Sequence, residues 1–144
     1  MQKSKIYDDL LAAVEADRDD LVALCLALGN TPSPHGKEIK VGEAVLAWLE
    51  RSGIRGALQF ITDESVNAVA KIAGSGDGTS LIFNAHMDTG PELGPDATEA
   101  DKKIETAWTE GELIFGRGVI NDKAQLCAFM IALRAIKRAG IRLR

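Results

Sequence analysis

The chain has 144 residues, 46% of them hydrophobic and 26% charged, with four prolines, which is the make-up of one folded α/β domain and excludes a disordered or low-complexity chain. A formal net charge of -4 gives no general attraction to phosphate backbones or anionic lipid, so neither a nucleic acid nor a membrane surface is an expected partner. No run approaches the ~18 apolar residues of a membrane span, and "MQKSKIYDDL" lacks the apolar core of a signal peptide, so a cytoplasmic location is expected.

In chain order, Ile6, Leu10, Leu11 and Val14 keep a helical spacing, and Leu21, Leu24, Cys25 and Leu28 repeat it after the acidic break "EADRDD", which predicts two helices or one kinked helix. "GN" at residues 29 and 30 stops the second, and "TPSPHGKE" reads as a loop feeding a third helix with Val41, Ala44, Val45, Trp48 and Leu49 on one face. "GALQFIT" and "VNAVAKIAG", joined by "DES", have the composition of a hairpin, and the glycines of "GSGDGTS" read as a further turn.

The run Leu81, Ile82, Phe83 is continuously apolar, as in a strand buried on both faces of a helix-covered sheet. Residues 92–104 read as a polar surface loop and "TAWTEGELIFGRG" as a second hairpin. Leu126, Phe129, Met130, Leu133 and Ile136 mark a last helix, with Asn121 or Asp122 placed to cap it and Arg134, Lys137 and Arg138 directed to solvent. "IRLR" reads as the start of another strand, and the chain as a domain cut off before its end.

Of the residues able to carry chemistry, His86 and Asp88 come first. They stand two apart at the end of the Leu81–Phe83 run, so they share one face at the carboxyl end of a strand, where ligands bind in open α/β sheets. A carboxylate beside a ligating imidazole accepts its second N–H, fixes the tautomer and makes the other nitrogen a better metal donor. The segment "GRGVINDKAQLCAFM" adds a carboxamide, a carboxylate and Lys123 at the start of a helix packing beside the same edge. His35 reads as a solvated loop residue, Lys123 as surface charge, Arg117 as a surface group or a loop ion pair, and Cys25 and Cys127 as buried free thiols.

From roughly residue 18 to 143 the chain resembles the M20 family of metallopeptidases and deacylases, the group of acetylornithine deacetylase, succinyl-diaminopimelate desuccinylase, aminoacylase and glutamate carboxypeptidase. "HMDTGP" is similar to the family's H-x-D-x-x-P, and "GRGVINDK", about 30 residues on, to its G-R-G-x-x-D-x-K. The resemblance implies a three-layer sandwich with a mixed, largely parallel central sheet flanked by helices, and zinc-dependent hydrolysis of N-acyl amino acids or small peptides. It implies His86 as a zinc ligand, Asp88 as the catalytic residue that orients it, and one or two zinc ions, with cobalt or manganese as substitutes.

One position departs from the family's pattern. Where a bridging aspartate is expected stands Asn121, and Asp122 follows it; three arrangements stay open, namely Asn121 binding through its oxygen, Asp122 taking the metal after a one-residue shift, or a single-ion site. The family's Glu-Glu pair, further ligands and lid or dimerisation domain have no counterpart in these residues. The expectation is therefore the N-terminal portion of one catalytic domain, residues 1–144, inactive alone and prone to homo-oligomerise or self-associate through its open edge. Two other readings are a degenerate peptidase-like scaffold with a binding or regulatory role, and a plain α/β binding domain.

Overall fold

The structure, a computed structural model, describes residues 2–144. Its elements run α1 (Gln2–Glu15), α2 (Arg18–Gly29), α3 (Ile39–Arg51), the hairpin β1 (Gly56–Phe60) and β2 (Val66–Ala70), α4 (Glu99–Ile104), the hairpin β3 (Trp108–Glu110) and β4 (Leu113–Phe115), and α5 (Ala124–Arg138). No helix among the described residues is long and apolar enough to cross a membrane.

The core lies where α2, α3 and α5 meet. Leu24, Cys25 and Leu28 from α2, Val41, Val45, Trp48 and Leu49 from α3, and Cys127, Met130 and Ile131 from α5 are all buried. These are the helical-period positions of the sequence, and each fully buried aliphatic side chain contributes about 1.5–3 kcal/mol. Both cysteines are buried and free, as expected. The neighbouring Cys25 thiol, and then burial, push the Cys127 thiol's pKa up.

The chain is mixed α/β, but its strands form two separate antiparallel hairpins, Gly56↔Ala70 through Phe60↔Val66 and Trp108↔Phe115 through Glu110↔Leu113. No parallel pair occurs among the described residues. Residues 81–85, expected as a doubly covered central strand, have no ladder partner. The physical reason is that such a strand needs neighbours on both edges, and β1 and β2 satisfy each other instead. Phe83 stacks on Phe129 of α5 with ring centroids 4.8 Å apart and is still 41% exposed, while Leu81 and Ile82 are 78% and 83% exposed.

Three further expectations are corrected. The polar stretch 92–104 contains α4, nucleated by a capping box in which Thr98 and Asp101 bond each other's backbone N–H groups. Arg134 is buried rather than solvated: its Nε donates to Asp17 at 2.8 Å, Arg138 joins the same carboxylate, and its guanidinium lies 4.7 Å over the Trp48 ring. "IRLR" forms no strand, making one backbone bond to the glycine-rich turn, Ser75 N–H to Leu143 O at 2.9 Å.

Candidate functional site

Two segments face each other at one end of α5. The first wall is residues 86–90, which follow the run over Phe129; the second is residues 116–123, which lead from β4 into α5. Alternation along the first wall holds as expected, with Met87 buried against the core and His86 and Asp88 turned outward.

The walls meet at His86. Its Nε2 lies 2.9 Å from Oδ1 of Asn121, and the His86 backbone N–H points to Oδ2 of Asp122 at 3.4 Å. Asn121, not Asp122, therefore faces the imidazole. Its extended backbone, φ -144° and ψ 87°, interrupts the turn at Val119–Lys123 and directs the carboxamide across the gap. The expected cap on α5 is absent as a result, since neither Asn121 nor Asp122 bonds the helix start.

On the other side of the ring, Nδ1 lies 3.0 Å from the Asp88 carbonyl and 3.2 Å from its carboxylate. Acceptors thus stand at both ring nitrogens, and the Asn121 contact above all raises the imidazole's affinity for a proton, with Asp88 adding to it. The second oxygen of Asp88 lies 3.4 Å from Nδ1 of His35, an exposed loop residue that sequence reasoning left in solvent. Arg117, across the first wall's turn at Gly90, forms the loop ion pair held open for it, bonding Glu105 at 2.6 Å.

What holds the walls is the loop between α2 and α3. Ser33 Oγ donates to Met87 O at 2.7 Å, Thr89 N–H donates to Ser33 O at 2.9 Å, and His35 N–H donates to Gly90 O at 3.1 Å. Asn30 pairs with Ala107 in both directions, at 3.0 and 2.9 Å, just ahead of β3.

Lys123, expected on the surface, is 1% exposed and donates to Leu28 O at 2.9 Å and Thr31 O at 2.8 Å. Leu28 lies in the last turn of α2, where the helix dipole favours a cation, and Thr31 in the loop just after it. Burial still pushes the lysine's pKa down to about 8. Close approach of the walls also depends on Gly118, where a Cβ would stand 2.5 Å from the Thr89 methyl.

As a donor set, His86 Nε2, Asn121 Oδ1 and the Asp122 carboxylate are nitrogen and oxygen groups of the kind that hold zinc, cobalt or manganese. The set is short: among the described residues no group of three or more His, Cys, Asp or Glu stands together in a way that could hold an ion.

No protein-family profile matches the chain. Over 150 aligned positions it is 28% identical to the N-formyl-4-amino-5-aminomethyl-2-methylpyrimidine deformylase of Halalkalibacterium halodurans, an alignment that takes in 99% of this chain. The chain spans 34% of that protein's length.

Proposed function

We propose that these residues form one wall of a metal-dependent amidohydrolase site, acting on small N-acylated amines. The carrying observation is the pair of acceptors around His86. If Nδ1–H is spent on Asp88, the lone pair of Nε2 points at the carbonyl oxygen of Asn121 from 2.9 Å. With Asn121 Oδ1 turned to the ring, that contact is bridged either by a proton on Nε2 or by a metal ion.

The donor chemistry fits an ion held by His86 and Asn121, with Asp122 at the same corner. Such an ion, when bound, supplies a Lewis acid that polarises an amide carbonyl and makes a nearby water more acidic. The chain's own residues do the preparatory work: Asp88 fixes the ring's tautomer and tilt, His35 steadies Asp88, and Asn121 sets the ring's distance from the second wall. Zinc takes about four ligands, so the whole protein supplies the remaining donors and the general base, and the 144 residues alone are inactive.

The distant relative's name supports a small acyl group such as formyl, and the M20 resemblance supports N-acyl amino acids or small peptides. In the whole protein, residues 81–85 join a largely parallel sheet of a three-layer sandwich; left exposed, Leu81 and Ile82 favour self-association.

Asn121 favours one second reading, a scaffold of the same ancestry that binds without catalysis. Calorimetric titration with Zn²⁺ or Co²⁺ separates the two. Binding by the 144-residue chain, abolished by His86→Ala and tightened about tenfold by Asn121→Asp, supports the enzyme wall. Equal uptake by the wild type and His86→Ala sinks it and leaves the scaffold.

A further inference from the structure

We propose that Lys123 is the positioning residue of this site: bonded to the α2–α3 loop, it fixes where Asn121 and Asp122 stand relative to His86. The inference rests on the functional reading above for its consequence, but its geometry is independent of any ion.

Neither wall belongs to a sheet that includes the other, so no ladder sets their register. Both are tied to one short loop instead. The ammonium of Lys123 bonds Leu28 O and Thr31 O, while two residues further along that loop Ser33 bonds Met87 and Thr89. The path from Asn121 through Lys123, Thr31, Ser33 and Met87 to His86 is a closed chain of covalent links and hydrogen bonds of 2.7–2.9 Å.

A hydrogen-bonded ammonium has fixed direction and distance, whereas an apolar side chain of equal size would allow the wall to slide along the loop. Ligand distances at a metal site are set to within ~0.2 Å, so a shift of that order matters. The Lys123 ammonium bonds Leu28 O and Thr31 O and not His86 or Asn121, so it acts through the backbone of the two residues before it. Its stem lies against Gly118, whose missing Cβ leaves room for both Lys123 and Thr89.

The test uses the 144-residue chain with Lys123→Met, which keeps the stem and removes the charge, and Ser33→Ala, which removes the hydroxyl bond to Met87 O, keeps the backbone bond from Thr89 and leaves the lysine in place. With only two histidines in the sequence, His35→Gln assigns the ring signals, and nuclear Overhauser contacts between the His86 ring and the Asn121 side-chain amide report the gap. Co²⁺ absorption reports the donor set. Each variant is expected to fold by circular dichroism, to lose the His86–Asn121 contact, and to bind Co²⁺ about tenfold to a hundredfold more weakly.

A folded Lys123→Met protein that keeps the contact and binds Co²⁺ within about twofold of wild type overturns the proposal. If Lys123→Met does not fold, Lys123→Gln, which keeps a polar head but shortens its reach to Leu28 O and Thr31 O, decides, and an unchanged contact there overturns it equally. Should the wild type take up no Co²⁺, the functional reading fails, and the Overhauser contacts alone still decide the role of Lys123.

Discussion

Gly118→Ala tests the idea that the two walls are held at contact distance. The new Cβ would stand 2.5 Å from Thr89 Cγ2 and 3.3 Å from Lys123 Cδ, against an optimum of ~3.5–4.0 Å between carbons. Overpacking of this kind costs about 1–3 kcal/mol. The backbone at Gly118, φ -83° and ψ -8°, suits alanine, so loss of unfolded-state entropy returns about 0.4–1 kcal/mol. The net expectation is a loss of about 1–2 kcal/mol, or a melting temperature lower by about 2–8 °C at ~2–4 °C per kcal/mol.

Thr89→Ser removes the clashing methyl but keeps the hydroxyl, which donates to Ser33 O at 3.4 Å. In a double-mutant cycle by thermal and urea denaturation, Gly118→Ala should therefore cost little when Thr89 is already serine, a coupling of about 1–2 kcal/mol. Under the proposed reading, Gly118→Ala should also weaken Co²⁺ uptake, and adding Thr89→Ser should restore it. Refutation would be a Gly118→Ala protein as stable as wild type, or one whose loss is unchanged by Thr89→Ser.

Asp17→Ala removes one of the two carboxylates that the buried Arg134 meets at 2.8 Å and leaves it Asp20; urea denaturation should show a loss of about 1.5–3 kcal/mol, and a change under about 0.5 kcal/mol would contradict the buried pair. Lys123 has a folded pKa pushed by burial to about 8 from the usual 10.5. Between those values the unfolded chain binds more protons, so this group makes stability rise with pH, by at most ~1.4 kcal/mol per pH unit. Urea midpoints at pH 8 and pH 10 should separate more in the wild type than in Lys123→Met, and an equal response in both proteins would remove the buried lysine from the account. Asn121→Asp should strengthen divalent-cation binding by His86 and its neighbours, read by calorimetry, because a carboxylate replaces a neutral oxygen; weaker binding would mean that Asn121 is not a donor.

Sequence periodicity was enough to find the helices that build the core, because apolar spacing and burial are the same fact seen twice: Val41, Val45, Trp48 and Leu49 are read from their intervals and found buried together. Alternation likewise placed His86 and Asp88 on one face, and the spacing of "HMDTGP" and "GRGVINDK" brought Asn121 to the imidazole. The supports were not legible. Asn30, Thr31, Ser33 and Lys123 act through backbone atoms 54 to 95 residues away, and such contacts leave no period. Lys123 and Arg134 were read as solvated because charge ordinarily is; only the fold shows that the carbonyl end of α2 and the Asp17 carboxylate are waiting for them. The helix at Glu99–Ile104 did carry a signal, Thr98 with Asp101 three residues on, hidden by the polarity of its surroundings.

The neutrality of Asn121 gives the site a charge logic of its own. Around the imidazole stand two carboxylates, Asp88 and Asp122, and one carboxamide. With an aspartate at 121, three negative groups would face one another beside an imidazole, and only strongly positive occupants would balance them. With asparagine, a single positive charge on the ring already satisfies both acceptors of His86, so the corner keeps its shape without a metal. That shape is what the α2–α3 loop is built to hold: Ser33 on one wall and Thr31 on the other restrain the gap whether or not it is filled. A site prearranged in this way spends little binding free energy on ordering its own side chains, so under the proposed reading a neutral residue 121 would weaken cation binding without abolishing it.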